Sequence, residues 1–307
     1  MVDNTIRNQE LPFLAAIFTA FICTLFGANA VAIKVSLSGF GGFTVAGLRF
    51  AIAVVTIFIW AWATRQPFRI KKGQAHQLLI IALLFTAQMS LVYMGLNRTY
   101  ASRGTLLINL QPFFLLFLAH FFIPGDRITK RKLMGILMGF AGVACVFLEK
   151  EGVTADFQTG DFLILTVALL WACVAVYIKR IIHAFEAFHL VFYPMLFSAP
   201  LLFLEGFLWD DAMISHVDTR VLVAVLYQGL VITSFGFVVW TTLLQKYGAV
   251  SLHSFIFIMP ISGVLLGGLI LGEPITLKIL LALFFIVSGI LLVNFKLGKH
   301  TFLFSLK

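Results

Sequence analysis

The sequence predicts an all-α integral membrane protein with ten transmembrane helices, arranged as two inverted five-helix repeats. Three observations carry this prediction: the chain is very apolar, its apolar runs have the length of membrane spans, and short motifs of the first half recur in the second. The composition is 61% hydrophobic and 11% charged, with a mean hydropathy of +1.03. Soluble domains carry about 25% charged residues, so this composition fits a bilayer as solvent.

The net charge of +9 lies mostly in the short segments between apolar runs, where Lys and Arg flank membrane spans. No segment is left over to form a basic face on a soluble domain, so nucleic acid is not an expected partner. The cysteines Cys23, Cys145 and Cys173 are far apart and lie within apolar runs. This spacing predicts neither a disulfide framework nor a zinc site, and we expect no cofactor.

Ten apolar runs approach the roughly 20 residues that a helix needs to cross the hydrocarbon core. The segments between them are too short for a separate soluble domain. We assign residues 1–148 to the first five-helix repeat and residues 149–307 to the second. The predicted spans are 11–33, 42–63, 75–97, 102–122, 129–148, 161–180, 187–207, 220–243, 250–271 and 276–295.

The distribution of basic residues predicts the orientation of the chain. If the N-terminus is cytoplasmic, the cytoplasmic segments hold 15 Lys and Arg residues and the external segments hold 6. The positive-inside rule then places both termini in the cytoplasm.

Four short motifs of the first half recur in the second half at nearly constant offsets of 145, 148, 147 and 147 residues. One such match has little meaning, but four in register indicate an internal repeat. The matching pairs are Phe26–Lys34 with Trp171–Lys179, Pro112 with Pro260, 125–129 (Gly-Asp-Arg-Ile-Thr) with 272–276 (Gly-Glu-Pro-Ile-Thr), and Gly142 with Gly289.

A repeat of five spans crosses the bilayer an odd number of times, so the second copy enters from the opposite side. Inverted repeats are typical of transporters, because exchanging the conformations of the two halves moves a central site between the two sides. The sequence contains no HExxH motif, no GxSxG motif and no Gly-rich phosphate loop. We therefore expect neither an enzyme nor a chain that binds ATP to drive transport.

Several further motifs occur in a fixed order along the chain. They are Phe-Gly-x-Asn at 26–29, Arg49, the mid-span prolines Pro112 and Pro260, Trp171-Ala172, and the acidic turn at 271–276. With them, residues 11–296 resemble the EamA-type members of the drug/metabolite transporter superfamily, although the first acidic turn reads Pro-Gly-Asp-Arg rather than Leu-Gly-Glu. The resemblance implies ten helices with both termini inside, a bacterial inner-membrane location, and movement of small metabolites, often amino-acid export.

The two mid-span prolines predict where a substrate binds. Proline removes a backbone donor and disturbs the preceding helical turn. Helical spacing puts Thr105 and Asn109 on one face with Pro112, and His253 and Phe257 on one face with Pro260. We expect both faces to line a shared central cavity; the alternative is that the prolines only shape helix packing.

Other candidates for substrate contact are polar or aromatic residues inside the spans. An amide facing lipid would leave its hydrogen-bonding groups unmet, so each should face the bundle. Whether each contacts substrate or a neighbouring helix is open, and the tryptophans fit core packing or an interfacial belt equally well. Gln88 and Tyr93 are five residues apart, so at most one points into the cavity. The candidates are Asn29, Gln88, Tyr93, Gln111, Trp171, Tyr177, Gln228 and Trp240.

Arg49 is the most informative charged residue, because it lies roughly 10 Å into the second span. A charge at that depth needs a partner, water or a path to the surface. It is either an anchor for a substrate carboxylate or a structural partner of backbone carbonyls or lipid headgroups. His253 either changes charge near neutral pH or acts as a neutral hydrogen-bonding residue.

The 13 acidic residues leave the middle of every predicted span free, with Glu205 and Glu273 near span ends. Coupled carriers and carriers of cationic drugs commonly use a mid-membrane carboxylate. We therefore expect a neutral or zwitterionic small-molecule substrate that moves without a carboxylate proton relay.

The expected function is export of small metabolites, amino acids above all, by alternating access through a central cavity. A flippase or carrier for an amphipathic, lipid-like metabolite is the alternative, and lateral openings between helices would favour it. The Gly-x-x-x-Gly motifs at 135–139 and 263–267 allow close helix approach. They serve packing within the chain or, as the less favoured alternative, a homodimer. The expected partners are a small-molecule substrate and the lipid bilayer.

Overall fold

A computed structural model describes residues 12–71, 73–122, 129–149, 155–181, 185, 187–247, 252 and 255–294. The regular secondary structure of these residues is helical, apart from one antiparallel bridge between Phe40 and Ile214. In chain order, the helices are α1 (Phe13–Ser36), α2 (Gly42–Ala63), α3 (Ala75–Arg98), α4 (Ala101–Ile108), α5 (Gln111–Phe122), α6 (Lys130–Phe147), α7 (Ala155–Ile181), α8 (Ala187–Trp209), α9 (Thr219–Leu226), a π-helical segment (Tyr227–Gly236), α10 (Phe237–Tyr247), α11 (Ile258–Leu271) and α12 (Leu277–Asn294).

Seven helical runs of the described residues are long and apolar enough to cross a membrane, and they match predicted spans one to four and six to eight. The helices α6, α11 and α12, of 18, 14 and 18 residues, stand at spans five, nine and ten. The surface of the bundle is apolar: Leu269 is 80% exposed and Phe207 is 75% exposed. The all-helical class is confirmed, and the exact count of ten spans stays a prediction.

The bundle has two faces, because consecutive long helices run in opposite directions. We name the face at which α1 begins the N-terminal face and the face at which α1 ends the far face. At the far face, the Lys34 ammonium donates to the carbonyl oxygen of Thr99 over 2.8 Å. The amide of Ser215 donates to the carbonyl oxygen of Gly39 over 2.9 Å. These bonds tie the end of α1 to the start of α4 and to the loop after α8.

Span four is broken next to Pro112, as the sequence predicts. Helix α4 ends at Ile108 and α5 begins at Gln111. Between them, the amide of Leu110 donates to the carbonyl oxygen of Leu107 over 3.1 Å, a tighter turn than an α-helix makes. Since proline has no N–H and fixes its own φ, it is tolerated in the first turn of the new helix.

A corresponding irregularity precedes Pro260 in span nine. A turn at 255–257 leads into α11, which begins at Ile258 and carries Pro260 in its first turn. Here the amide of Ile258 donates to the carbonyl oxygen of Phe255 over 3.0 Å. The two prolines, which match at an offset of 148 residues, thus follow comparable irregular turns.

Span eight contains a feature that the sequence did not predict, the π-helical segment of 10 residues. Its wider turns are stabilised by hydroxyls that reach back five residues. Thr233 Oγ1 donates to the carbonyl oxygen of Gln228 over 2.7 Å, and Ser234 Oγ donates to that of Gly229 over 2.8 Å. π-helical turns are rare and often accompany functional sites.

The glycine motifs serve packing inside the chain. A Cβ on Gly135 would lie 3.0 Å from the carbonyl oxygen of Gly289, and one on Gly289 would lie 2.8 Å from that of Gly135, so α6 and α12 touch backbone to backbone. In α11, Gly263 receives the side chain of Thr105, whose Cγ2 would lie 2.3 Å from an added Cβ. Both motifs are therefore occupied by neighbouring helices of the same chain.

Candidate functional site

A central cavity of about 380 Å³ lies beside the break in span four. Its walls come from α1 to α5, α7, the π-helical segment, α10, the turn at 255–257 and α11. More than half of the residues singled out from sequence line it, and their contact with a substrate stays a prediction. They are Asn29, Arg49, Asn109, Gln111, Pro112, Trp171 and Trp240.

Arg49 is the only charged residue among the described residues that line this cavity. It is 6% exposed, and its Nε donates to Thr233 Oγ1 over 2.6 Å. No carboxylate of the described part of the chain forms a salt bridge with it. The alternative of a lipid-headgroup partner is disfavoured, since the guanidinium is held inside the bundle by the π-helical segment.

The face predicted from the spacing of Thr105, Asn109 and Pro112 does line the cavity. Asn109 Nδ2 donates one of its two hydrogens to the carbonyl oxygen of Thr105 over 2.8 Å. Two other oxygens of the wall, Thr105 Oγ1 and Asn29 Oδ1, are buried and have no hydrogen-bond partner among the described residues. The wall formed by α1 and α4 therefore contains oxygen atoms with unmet hydrogen bonds.

Tyr93 and Gln228 are not part of the wall of the central cavity, and they bond to each other. The Tyr93 hydroxyl donates to Gln228 Oε1 over 2.5 Å. Gln228 Nε2 also has acceptors within reach, the Ser36 hydroxyl at 3.0 Å and the Ala224 carbonyl oxygen at 3.1 Å. Both side chains are fully buried. Contact of either side chain with a substrate stays a prediction.

The remaining candidates lie elsewhere. Gln88 is fully buried, and neither its Oε1 nor its Nε2 has a partner among the described residues. Tyr177 packs in a small apolar cluster that includes Leu78. Pro260 is buried in α11, and Met259 lines the cavity in its place, so the expected lining by Pro260 is wrong. His253 lies outside the described residues.

A second, larger cavity of about 730 Å³ opens at the far face. Tyr93 is part of its wall, so the Tyr93–Gln228 pair lies between the two cavities. Glu205 also lines it and is bonded to the hydroxyl of Ser90. Asp210 accepts from the Thr44 amide over 2.9 Å at the start of α2. The sequence placed Glu205 near a span end correctly, but nothing in it indicated that this end borders a cavity.

The far face is held together by acidic residues of the second half that bond to the first half. Glu273 Oε1 accepts from the amide of Ala101 over 2.6 Å, and Oε2 accepts from that of Ser102 over 2.8 Å. These are free N–H groups of the first turn of α4, where a carboxylate is favoured. Gly272, with φ of +67°, ends α11 in the left-handed conformation and turns Glu273 toward them.

The two parts of span four pack differently. Helix α4 packs against α1, α7 and α11, whereas the main packing partner of α5 is α7. The half of span four nearer the far face is thus enclosed by both halves of the bundle. The bonds of Glu273 to the start of α4 lie at this end of span four.

An apolar helical bundle whose central cavity lies at two irregular spans and is lined by Arg49 and several amides has the architecture of a membrane transporter. Comparison of the sequence with known families agrees. The EamA-like transporter family matches this chain twice, at residues 13–148 and 158–295. The chain belongs to the EamA-like transporter family, and it is a multi-pass membrane protein rather than an enzyme.

Relatives align over nearly their whole length. An uncharacterized transporter of Bacillus subtilis (strain 168), YoaV, is 24% identical over 282 residues, covering 91% of this chain and 96% of the relative. A probable amino-acid metabolite efflux pump of Escherichia coli (strain K12) is 24% identical over 283 residues, covering 89% of this chain and 92% of the relative. A solved crystal structure has a TM-score of 0.66 at 19% identity and covers 92% of this chain and 96% of its own, so it supports the fold alone.

Proposed function

We propose that this protein exports a small neutral or zwitterionic metabolite, an amino acid above all, across the bacterial inner membrane. The observation that carries the proposal is Arg49, the one charged side chain that lines the central cavity among the described residues. The name of the Escherichia coli relative, a probable amino-acid metabolite efflux pump, supports both the substrate class and the direction.

Arg49 supplies the binding energy for a carboxylate. Burying a cation without an anion is costly, and here a neutral hydroxyl, that of Thr233, takes the Nε–H. A guanidinium presents a fixed fork of donors that matches a carboxylate in two places. A substrate carboxylate would neutralise the cavity, whereas a cationic substrate would meet a like charge.

The cavity size fits a small molecule. Small-molecule sites measure about 300–1,000 Å³, and the central cavity lies near the lower end of that range at about 380 Å³. Its apolar wall includes Phe26, Met89 and Trp171. Such a wall favours a substrate with an apolar side chain beside its charged groups.

The predicted inverted repeat supports alternating access as the mechanism. We place the N-terminal face in the cytoplasm, because the basic residues concentrate on that side. The bonds of Glu273 to α4 then close the external side in this conformation. Transport would require these bonds to break as the central cavity opens outward, with Tyr93 and Gln228 parting between the two cavities.

Exchange in proteoliposomes tests the proposal. Vesicles preloaded with unlabelled amino acids are supplied with a labelled neutral amino-acid panel, and exchange is followed with and without a pH gradient. Saturable exchange should be lost or shifted to a KM roughly tenfold higher in Arg49→Gln, since a hydrogen bond to a charged group contributes about 1.5–3 kcal/mol. The matched control is Arg220→Gln, an exposed arginine at the start of α9. Equal exchange by wild type and Arg49→Gln would overturn the role of Arg49.

A further inference from the structure

We propose that the central cavity has a second pole, formed by the oxygens of Asn29, Thr105 and Asn109, that binds the ammonium group of a zwitterionic substrate. This inference rests on the proposed function and deepens it, since Arg49 alone would accept any carboxylate. It assigns recognition of the ammonium to neutral oxygens.

The first argument is the unmet hydrogen bonding of this wall. Thr105 is 3% exposed, and neither its Oγ1 nor Asn29 Oδ1 has a partner among the described residues. A buried oxygen without a partner is costly, and native structures rarely retain one without a reason. Both residues line the cavity, so we expect the two side chains to turn toward a ligand that enters it and supplies the missing donors.

The second argument concerns which ligand groups fit. One of the two hydrogens on Asn109 Nδ2 is donated to the carbonyl oxygen of Thr105, and we assign the side-chain oxygen of Asn109, which lines the cavity, to the ligand. An ammonium carries three donors and no acceptor. Oxygens from Asn29, Thr105 and Asn109 match those donors, whereas a carboxylate would meet acceptors there and donors at Arg49.

The third argument is the placement of the two poles on different helices. Arg49 reaches the cavity from α2 and is fixed by the π-helical segment. The oxygen wall comes from α1 and the break in span four, and Gly263 fixes Thr105 by close contact. No carboxylate lies among the described lining residues, so an isolated cation would meet neutral oxygens and the charge of Arg49. A zwitterion alone satisfies both poles.

Three ligands with the same branched apolar group separate the poles: L-leucine, 4-methylpentanoate, which lacks the amine, and 3-methylbutylamine, which lacks the carboxylate. Each is titrated into purified protein in detergent, and its Kd is taken from the ligand-dependent rise in melting temperature. We expect wild type to bind leucine more tightly than either analogue. Thr105→Val and Asn29→Leu nearly keep the side-chain volume. Each should raise the Kd of leucine roughly tenfold and leave the Kd of 4-methylpentanoate unchanged.

Arg49→Gln should give a different pattern. It should weaken the binding of both leucine and 4-methylpentanoate, because both ligands carry a carboxylate. Thr105→Ser, which keeps the hydroxyl, should restore leucine binding, and Gln88→Leu is a control for loss of a buried polar group outside the cavity. Retained binding of 4-methylpentanoate shows that a variant is folded. Equal weakening of leucine and 4-methylpentanoate by Thr105→Val and Asn29→Leu would overturn the ammonium pole alone. If wild type binds neither carboxylate, the proposed function fails together with this inference.

Discussion

Arg103 of α4 and Asp161 of α7 form an ion pair in the interior of the bundle, with the two side chains 1% and 0% exposed. The pair joins span four of the first half to span six of the second. Asp161 also accepts from the hydroxyl of Thr99 over 2.6 Å. The pair lies on the same side of the bundle as the Glu273 contacts, so the far face is fastened at two separate points.

Breaking this pair on one side should destabilise the protein more than replacing both partners. Asp161→Asn leaves the Arg103 guanidinium buried without an anion, and loss of one partner of a buried pair costs about 3–5 kcal/mol. Arg103→Met with Asp161→Asn removes both charges, and Asn still accepts from Thr99. We expect the single variant to have the lower melting temperature in detergent.

Lys278→Gln serves as the control for that experiment. Lys278 is 45% exposed in its pair with Glu149, and exposed pairs contribute about 0–1 kcal/mol. The melting temperature of the Lys278→Gln variant should stay close to that of wild type. A double variant at Arg103 and Asp161 that melts below Asp161→Asn would contradict the expectation for the buried pair.

Glu273→Gln should shift the protein toward a conformation open at the far face. The glutamine amide is uncharged and has one acceptor oxygen for the two free N–H groups at the start of α4. A charge-assisted hydrogen bond, which the variant loses, contributes about 1.5–3 kcal/mol. Labelling of an Asn29→Cys reporter by an impermeant maleimide from the far face should therefore accelerate roughly tenfold.

That measurement uses a background in which Cys23, Cys145 and Cys173 are replaced. Asp211→Asn, an exposed acidic residue in the far-face cavity, controls for loss of charge there. An unchanged labelling rate in Glu273→Gln would reject the role of Glu273 in closing the far face.

Gly135→Ala should destabilise the contact of α6 with α12. The new methyl group would lie 2.5 Å from Val293 Cγ2 and 3.0 Å from the carbonyl oxygen of Gly289, so the helices must separate. Overpacking of this kind costs about 1–3 kcal/mol, which a lower melting temperature would report. Leu137→Ala, at a side chain that is 61% exposed, is the control on the same helix and should melt near wild type.

The sequence predicts those features that depend on local chemistry. Apolar runs fix the positions of the helices, and the mid-span Pro112 marks the break whose face, with Thr105 and Asn109, lines the cavity. Pairings across the bundle were not predictable. The bond of Tyr93 to Gln228 joins residues 135 positions apart, and their spacing gives no signal for it.

The π-helical segment could not be predicted from the sequence either. Its residues have the apolar character of an ordinary span, and the extra residue per turn is detectable only in the backbone bonds. Its consequence is nevertheless specific, because it carries Gln228 to Tyr93 and Thr233 to Arg49. Two of the sequence-derived candidates are thus held by one irregular element.

The bond of Thr233 to Arg49 gives the last prediction. Thr233→Val keeps the side-chain shape but removes the acceptor of the Arg49 Nε–H, so the guanidinium loses one of the contacts that orient it. We expect a substrate KM roughly tenfold higher in proteoliposome exchange, because a hydrogen bond to a charged group is lost, with a smaller effect on kcat. Thr233→Ser should restore the wild-type KM.

Thr242→Val is the matched control for this variant. Its hydroxyl is exposed and donates to the carbonyl oxygen of Val238 over 2.8 Å, so it removes a hydroxyl from the same span without touching Arg49. A rise in KM for Thr233→Val alone would mean that the π-helical segment orients the carboxylate anchor. A fall in kcat at unchanged KM would instead assign Thr233 to the conformational change, since substrate affinity would then not depend on how Arg49 is held.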